Sequence, residues 1–338
     1  MAMAMAMAAD RATTMRAATR ARYGSPEAIE LTEVERPPLT DDGVLVRVHA
    51  AALNRLDWYW LTGAPLIARP DTGFFRPRSP LLGVDFAGTV EAVGPEVEDF
   101  TPGDEVFGER KGALAEYLCA SAVALKPTNV SFEQAAATPL GGLTALQGLR
   151  DKGKVQAGQH VLIQGASGGV GTFAVQIAKW LGAEVTAVCS TPNVEQARSL
   201  GADHVIDYTR EDFTRGERRY DVLFDNAGTR SWKETRRVLA PDAKVVLIGG
   251  PKTNRVIGPL GHIVGAKLGS LRSSQQALFS LAQPNRADLQ LLAELLERGT
   301  IVPAIDRRFE LADVAEAVRY QGEGHPRGKV VVTVTSHS

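Results

Sequence analysis

Cysteine is nearly absent from this chain of 338 residues: only Cys119 and Cys189 occur. Two thiols exclude a disulfide framework and any site that needs four thiolates. They suit a reducing, cytoplasmic compartment. Net charge is lacking too, at −1 from 38 basic and 39 acidic residues. Neither a nucleic acid nor an anionic membrane is therefore expected as a partner. No apolar run approaches the roughly 18 residues of a membrane span. Methionine is missing from the body of the chain, all five lying at Met1, Met3, Met5, Met7 and Met15. The opening "MAMAMAMAADRATT" is of low complexity. Residues 1–14 are expected to be a disordered extension, with Met15 the true start and a transit peptide the alternative.

What is present is the material of an ordinary globular protein, 44% hydrophobic and 23% charged, with a length that suggests two domains. Two textures alternate along it. From about Ala17 to Pro127, short strands such as "GVLVRVHAAALN" and "LLGVDFAGTVEAVG" are punctuated by Gly and Pro, the pattern of an antiparallel β domain. From about Pro139 to Gly250 the reading becomes strand, helix, strand: "HVLIQ", then "VGTFAVQIAKWLG", then "EVTAVCS", "HVIDY", "YDVLFDNAG" and "KVVLIGG". That repetition predicts a doubly wound parallel sheet. The last segment returns to the first texture, and its strand "GKVVVTV" is expected to complete the N-terminal sheet. The α/β domain is then an insertion within the β domain.

The glycine turn "GASGGVG", Gly165 to Gly171, follows a predicted strand and opens a predicted helix. Small residues are needed there for three reasons. The chain turns sharply, the backbone approaches a pyrophosphate at Ser167, Gly168, Gly169 and Val170, and the helix packs tightly at Gly171. The turn therefore predicts a dinucleotide site. At the end of the next strand an NAD site would show Asp or Glu, but Ser190, Thr191 and Pro192 stand there. Small hydroxyls suit a 2′-phosphate, with Tyr208 beside it and Arg210 or Arg198 supplying charge. The expected cofactor is NADPH. Helix capping is the other reading of Ser190 and Thr191.

"FDNAG" invites comparison with short-chain dehydrogenases, but no tyrosine is followed by lysine at the Tyr-x-x-x-Lys spacing. Taken together, "VRVHAAALNRLDWYWLTG", "PLLGVDFAGTVEAVG", "TPGDEVFG", "AAATPLGGLTALQGL", "GASGGVGTFAVQIAK", "LGADHVIDY" and "GKVVVTV" resemble the medium-chain dehydrogenase/reductase superfamily. The resemblance is nearest to its quinone oxidoreductase branch. It implies a GroES-like β-rich catalytic domain at 15–137 and 283–338. A Rossmann NADP-binding domain would occupy 138–282, and the protein would be a homodimer.

Zinc alcohol dehydrogenases of that superfamily carry Cys-x-x-Asp and Gly-His-Glu. The matching stretches here are Asn54-Arg-Leu-Asp57 and Gly83-Val84-Asp85, so no metal is expected. The six histidines read as surface or packing residues. Without a Lewis acid, the reaction best suited is hydride transfer to a substrate that spreads charge by itself, a quinone or an α,β-unsaturated carbonyl. A zinc-independent NADP alcohol or aldehyde dehydrogenase and a low-turnover NADPH-binding scaffold are the alternatives.

The resemblance implies roles for particular residues. Asn54 and Thr144 lie by the nicotinamide, Tyr59 donates a proton or anchors a carbonyl, and Asn226, Gly249, Arg327 and Gly328 edge the cofactor cleft. The segment "TGAPLIARPDTGFFRPRSP" is expected to form a substrate lid and "NRVIGPLGHIVGAKLGSL" the opposite wall. Related chains often carry a basic residue where Pro192 stands, which predicts modest NADP affinity. Asp85 lies in an apolar strand and must be paired, with Arg55 or a backbone donor as its expected partner.

Overall fold

A computed structural model describes residues 13–250, 256–323 and 326–335. The expectation of a disordered extension falls largely on residues outside these, and the first strand begins at Thr14. Strands β1 (Thr14–Thr19) and β2 (Glu30–Glu35) form a small antiparallel pair. Next come β3 (Val44–Leu53), β4 (Asp85–Val93), β5 (Glu105–Glu109), β6 (Tyr117–Ala120) and β7 (Val123–Leu125). The parallel strands are β8 (His160–Gln164), β9 (Glu184–Cys189), β10 (His204–Asp207), β11 (Tyr220–Asp225), β12 (Leu239–Leu247) and β13 (Gln276–Phe279). Two late strands, β14 (Ile305–Glu310) and β15 (Lys329–Thr333), close the order.

One sheet runs β14-β15-β3-β4-β5-β7, with β6 also on β3; the other runs β10-β9-β8-β11-β12-β13. The late strand β15 pairs antiparallel with β3, placing Val330 opposite Leu53. The chain thus leaves the GroES-like sheet, builds the whole Rossmann sheet, and comes back. β3 is buried at every position but Arg47, because it lies mid-sheet with both faces covered.

The six parallel strands are apolar for the reason parallel strands usually are: helices cover both faces. The helix Gly171–Trp180 buries Phe173, Val175 and Ile177 on one side. On the other side, Leu162, Leu223, Val245 and Leu247 meet Ile263 and Ala266 of the helix Leu260–Ser270. That helix is what most of the "opposite wall" segment, residues 254–271, becomes; Asn254 and Arg255 lie outside the described residues. Leu289, Leu292 and Leu296 of the helix Arg286–Glu297 join the core that the two sheets share.

Candidate active site

Strand register assembles the site. Asp85 begins β4 and lies opposite Ala52 in β3 and Glu109 in β5. Lys329 begins β15, one residue before the partner of Leu53. Asn54 follows the end of β3 and caps the helix Arg55–Thr62. Four neighbouring strands therefore bring Lys329, Asn54, Asp85 and Glu109 to one edge of the sheet.

The Lys329 ammonium donates to Asp85 Oδ2 at 2.8 Å and to Asn54 Oδ1 at 2.7 Å. The Asn54 amide donates to Asp85 Oδ2 at 2.9 Å, and the backbone N–H of Leu140 donates to Asp85 Oδ1 at 3.1 Å. Asp85 and Lys329 are buried, at 0% and 1% exposure. Arg55, the partner expected from sequence, instead donates to the Gly322 carbonyl at 2.5 Å. It misses because it points out of the first helical turn, whereas β15 delivers Lys329 directly beside β4. The expected backbone donor is there, as Leu140.

Two more carboxyls crowd this edge. Asp57 accepts from the Asn54 N–H at 2.7 Å through Oδ2, while its Oδ1 is buried without a partner. Burial pushes its pKa up to about 7, with Asp85 adding repulsion. Glu109 has an unpartnered buried Oε2, and burial followed by repulsion from Asp85 raises it to about 8. Three carboxyls thus face one ammonium, and charge neutrality is reached by keeping protons on the outer two.

The Lys329 stem also touches the glycine turn. A Cβ on Gly169 would stand 3.1 Å from Lys329 Cδ, and one on Gly141 would stand 2.9 Å from the Gly169 carbonyl oxygen. The turn is thus clasped between β15 and the helix Pro139–Gln147. That helix carries Thr144, buried, whose hydroxyl donates to Leu140 O at 2.6 Å. Val170 ends the turn, and its carbonyl accepts from Ala174 at 2.9 Å.

The other residues expected from sequence lie along the carboxyl edge of the parallel sheet, where ligands of such sheets bind. In-register pairing sets Gln164, Cys189, Asp207 and Asp225 at strand ends. Ser190, Tyr208 and Asn226 follow directly. Asn226 is close to both Gly249 and Gly168: a Cβ on the first would lie 2.8 Å from its carbonyl oxygen, and one on the second 3.9 Å from Nδ2. Asn193 Nδ2 donates to Ser190 Oγ at 3.0 Å and to Ser167 Oγ at 3.2 Å. Arg327 is exposed; its N–H donates to Asp306 and its carbonyl accepts from Gln196. Gly328 follows it, in the left-handed region at φ 126°.

Two features here were not read from the sequence. Thr191 is not a helix cap: its hydroxyl donates to Asp207 Oδ2 at 2.5 Å, and Thr209 donates to the other oxygen. These hydrogen bonds, the Thr191 one foremost, hold Asp207 below the usual carboxylate range. An acid therefore borders the Ser190–Thr191 pocket from the neighbouring strand. The second is His262, read as surface or packing. Its Nε2 stands 2.9 Å from Asp225 Oδ2, whose other oxygen accepts from the N–H groups of Ala227 and Gly228.

Tyr59 lies on the helix Arg55–Thr62, with the Arg55 guanidinium 5.6 Å from its ring centre. Beyond that helix, the lid segment reaches across to the Rossmann side, where Ile67 N donates to Val256 O at 3.1 Å.

A profile described as "Alcohol dehydrogenase GroES-like domain" matches residues 40–145, and one described as "Zinc-binding dehydrogenase" matches 200–332. The mouse NAD(P)H oxidoreductase RTN4IP1, mitochondrial, is 34% identical over 96% of this chain and 90% of its own. The chain belongs to the medium-chain dehydrogenase/reductase superfamily. It is an oxidoreductase with a nicotinamide cofactor. The 2-methylene-furan-3-one reductase of Solanum lycopersicum is 33% identical over 94% of this chain and 79% of its own. The solved quinone oxidoreductase of Coxiella burnetii superposes with a TM-score of 0.83 at 30% identity, covering 95% of this chain and all of that one.

The cofactor fits the turn. Gly171 accepts no side chain, since a Cβ would lie 2.0 Å from the Gly165 carbonyl oxygen, whereas the nearest atom to one on Gly168 is 3.7 Å away, leaving a cradle for phosphate. Zinc does not fit the edge of the β-rich sheet. Asp85, the carboxylate of the family's metal-site motif, has both oxygens committed, one of them to an ammonium. A cation beside a lysine without thiolate or imidazole partners is repelled rather than bound.

Proposed function

We propose that this chain is a zinc-independent, NADPH-dependent reductase of quinones or α,β-unsaturated carbonyls. The observation that carries the reading is the Lys329–Asp85–Asn54 cluster, whose Asn54 and Asp85 fall at the sequence positions that match the Cys-x-x-Asp and Gly-His-Glu motifs of the zinc dehydrogenases. A site with an ammonium in that place has no Lewis acid with which to stabilise an alkoxide. The reaction it can support is one whose acceptor delocalises its own charge. The names of the relatives, an alkenal/one oxidoreductase of Arabidopsis thaliana and a quinone oxidoreductase of Triphysaria versicolor among them, agree with that choice.

The roles follow from position. When bound, the reduced nicotinamide supplies a hydride. Ser167, Gly168, Gly169 and Val170 hold the pyrophosphate by backbone N–H groups at a helix start. Ser190, Thr191, Tyr208 and Arg210 receive the 2′-phosphate; the Asp207 carboxylate beside them reduces the margin over NADH. Asn54 and Thr144 flank the nicotinamide, and Asn226, Gly249, Arg327 and Gly328 edge its cleft. Asn54 is oriented by Lys329 and Asp85 so that its ribose- or substrate-facing side is set before binding. Tyr59 anchors the carbonyl of the acceptor. The lid touching Val256 keeps water from the reacting carbon. The outer edge of β13, unpaired among the described residues, supports a homodimer, and two buried free thiols suit the cytoplasm.

The test is NADPH consumption by metal-stripped protein across a panel of quinones, enones, aldehydes and alcohols. Turnover with quinones or enones, and a larger kcat/KM with NADPH than with NADH, is expected. Activity that returns only with added Zn²⁺ would overturn zinc independence. Preference for NADH would overturn the cofactor, and binding without turnover would leave a scaffold.

A further inference from the structure

The helix Leu260–Ser270 has two apolar sides. Ile263 and Ala266 pack on the parallel sheet. Away from them, Leu260, Val264, Leu268 and Leu271 are exposed by 37%, 51%, 63% and 77%. At 100° per residue these four fall within an arc of about 80°. Before the helix, Val256 is also exposed, and its carbonyl accepts a hydrogen bond from the N–H of exposed Ile67. Water-facing apolar side chains gathered on one arc of a helix call for a partner.

Charge says which. From Ala243 to Ala287 the sequence contains no Asp or Glu, yet it holds Lys244, Lys252, Arg255, Lys267, Arg272 and Arg286. The near-zero net charge of the whole chain conceals this local excess. Lys267 and Arg272, which flank the leucine strip, are exposed and make no ion pair among the described residues.

We propose that this helix face docks on an anionic lipid bilayer. The leucine arc sinks to the boundary between headgroups and acyl chains, and Lys267 and Arg272 meet the phosphates. A second copy of the chain is the poorer occupant, because a two-fold contact centred on this face would bring Lys267 and Arg272 against their own copies. The inference goes beyond the reductase reading and is measured without substrate, so either can fail alone.

The experiment is flotation of the full chain with vesicles of phosphatidylcholine alone and of phosphatidylcholine mixed in equal parts with phosphatidylglycerol. The wild type is expected to bind the mixed vesicles at least about tenfold better than the neutral ones, and less well at high salt. Leu268→Gln with Leu271→Gln, and separately Lys267→Glu with Arg272→Glu, should each weaken binding by about tenfold or more with unchanged circular dichroism and Tm. If the leucine pair fails to fold, the charge pair still decides. Equal binding to both vesicle types, variants that bind like the wild type, or a leucine variant that merely turns a dimer into monomers would overturn the proposal.

Discussion

Lys329 Nζ lies 2.8 Å from Asp85 Oδ2, with both side chains buried and the two residues 244 positions apart in the chain. The contact joins the start of the last strand to the start of β4, and it fixes Asn54 between them. An ion pair out of water gains little over an apolar pair, but removing one partner leaves the other charged and stranded.

Asp85→Asn should therefore cost about 1–3 kcal/mol of stability, since Lys329 loses its hydrogen-bonded counter-charge and Glu109 or Asp57 must ionise to replace it. Chemical denaturation measures this, and kcat of the folded fraction should change less than tenfold. A fully stable variant with a large loss of kcat would assign Asp85 to the chemical step instead.

The outer carboxyls predict how stability depends on pH. Asp57 and Glu109 have pKa values raised to about 7 and about 8 in the folded chain, against about 4 in the unfolded one. Between those limits the native state holds more protons than the unfolded state. Stability is thus greatest at the acid end of this window and falls as pH rises to about 8, by roughly 1 kcal/mol per pH unit per carboxyl. Asp57→Asn and Glu109→Gln should each flatten the slope; urea midpoints between pH 5 and pH 9 test it. An unchanged slope in both variants would place the titration elsewhere.

The glycine turn separates folding from binding. Gly171→Ala puts a methyl against the Gly165 carbonyl, 2.0 Å from its oxygen, and should destabilise the protein by several kcal/mol, of order 3. Gly168→Ala meets no atom closer than 3.7 Å, so it should fold normally while weakening NADPH binding by about tenfold or more, because the methyl fills the approach to the phosphate. Calorimetry and Tm together distinguish the two.

Asp207 is expected to bias the choice between the two nicotinamide cofactors. Its carboxylate is held charged by Thr191 and Thr209, next to the expected place of the 2′-phosphate. Asp207→Asn removes that repulsion and should raise the NADPH to NADH ratio of kcat/KM by about tenfold. A ratio that does not move would put the 2′-phosphate elsewhere.

Much of this molecule was legible in the chain. Apolar runs bounded by glycine mark the parallel strands, because burial on both faces demands them, and "GASGGVG" marks the turn, because only small residues fit it. The substitution of Asn54 and Val84 for zinc ligands is a matter of residue chemistry and needs no coordinates. The helix Leu260–Ser270 was less legible, since its apolar residues on two sides blur the period that would reveal a helix.

Local sequence was enough to read the class of fold, the small-residue turn and the departure from the metal motif, since each depends on residues close together in the chain. Tertiary structure decided the partners. Lys329, Glu109, Asp207 and His262 reach their neighbours only through the order and register of strands, and no local pattern records which strand lies beside which. Asp85 illustrates the division. Its burial in an apolar strand required a partner, and only the return of β15 beside β3 made that partner Lys329 rather than the nearby Arg55.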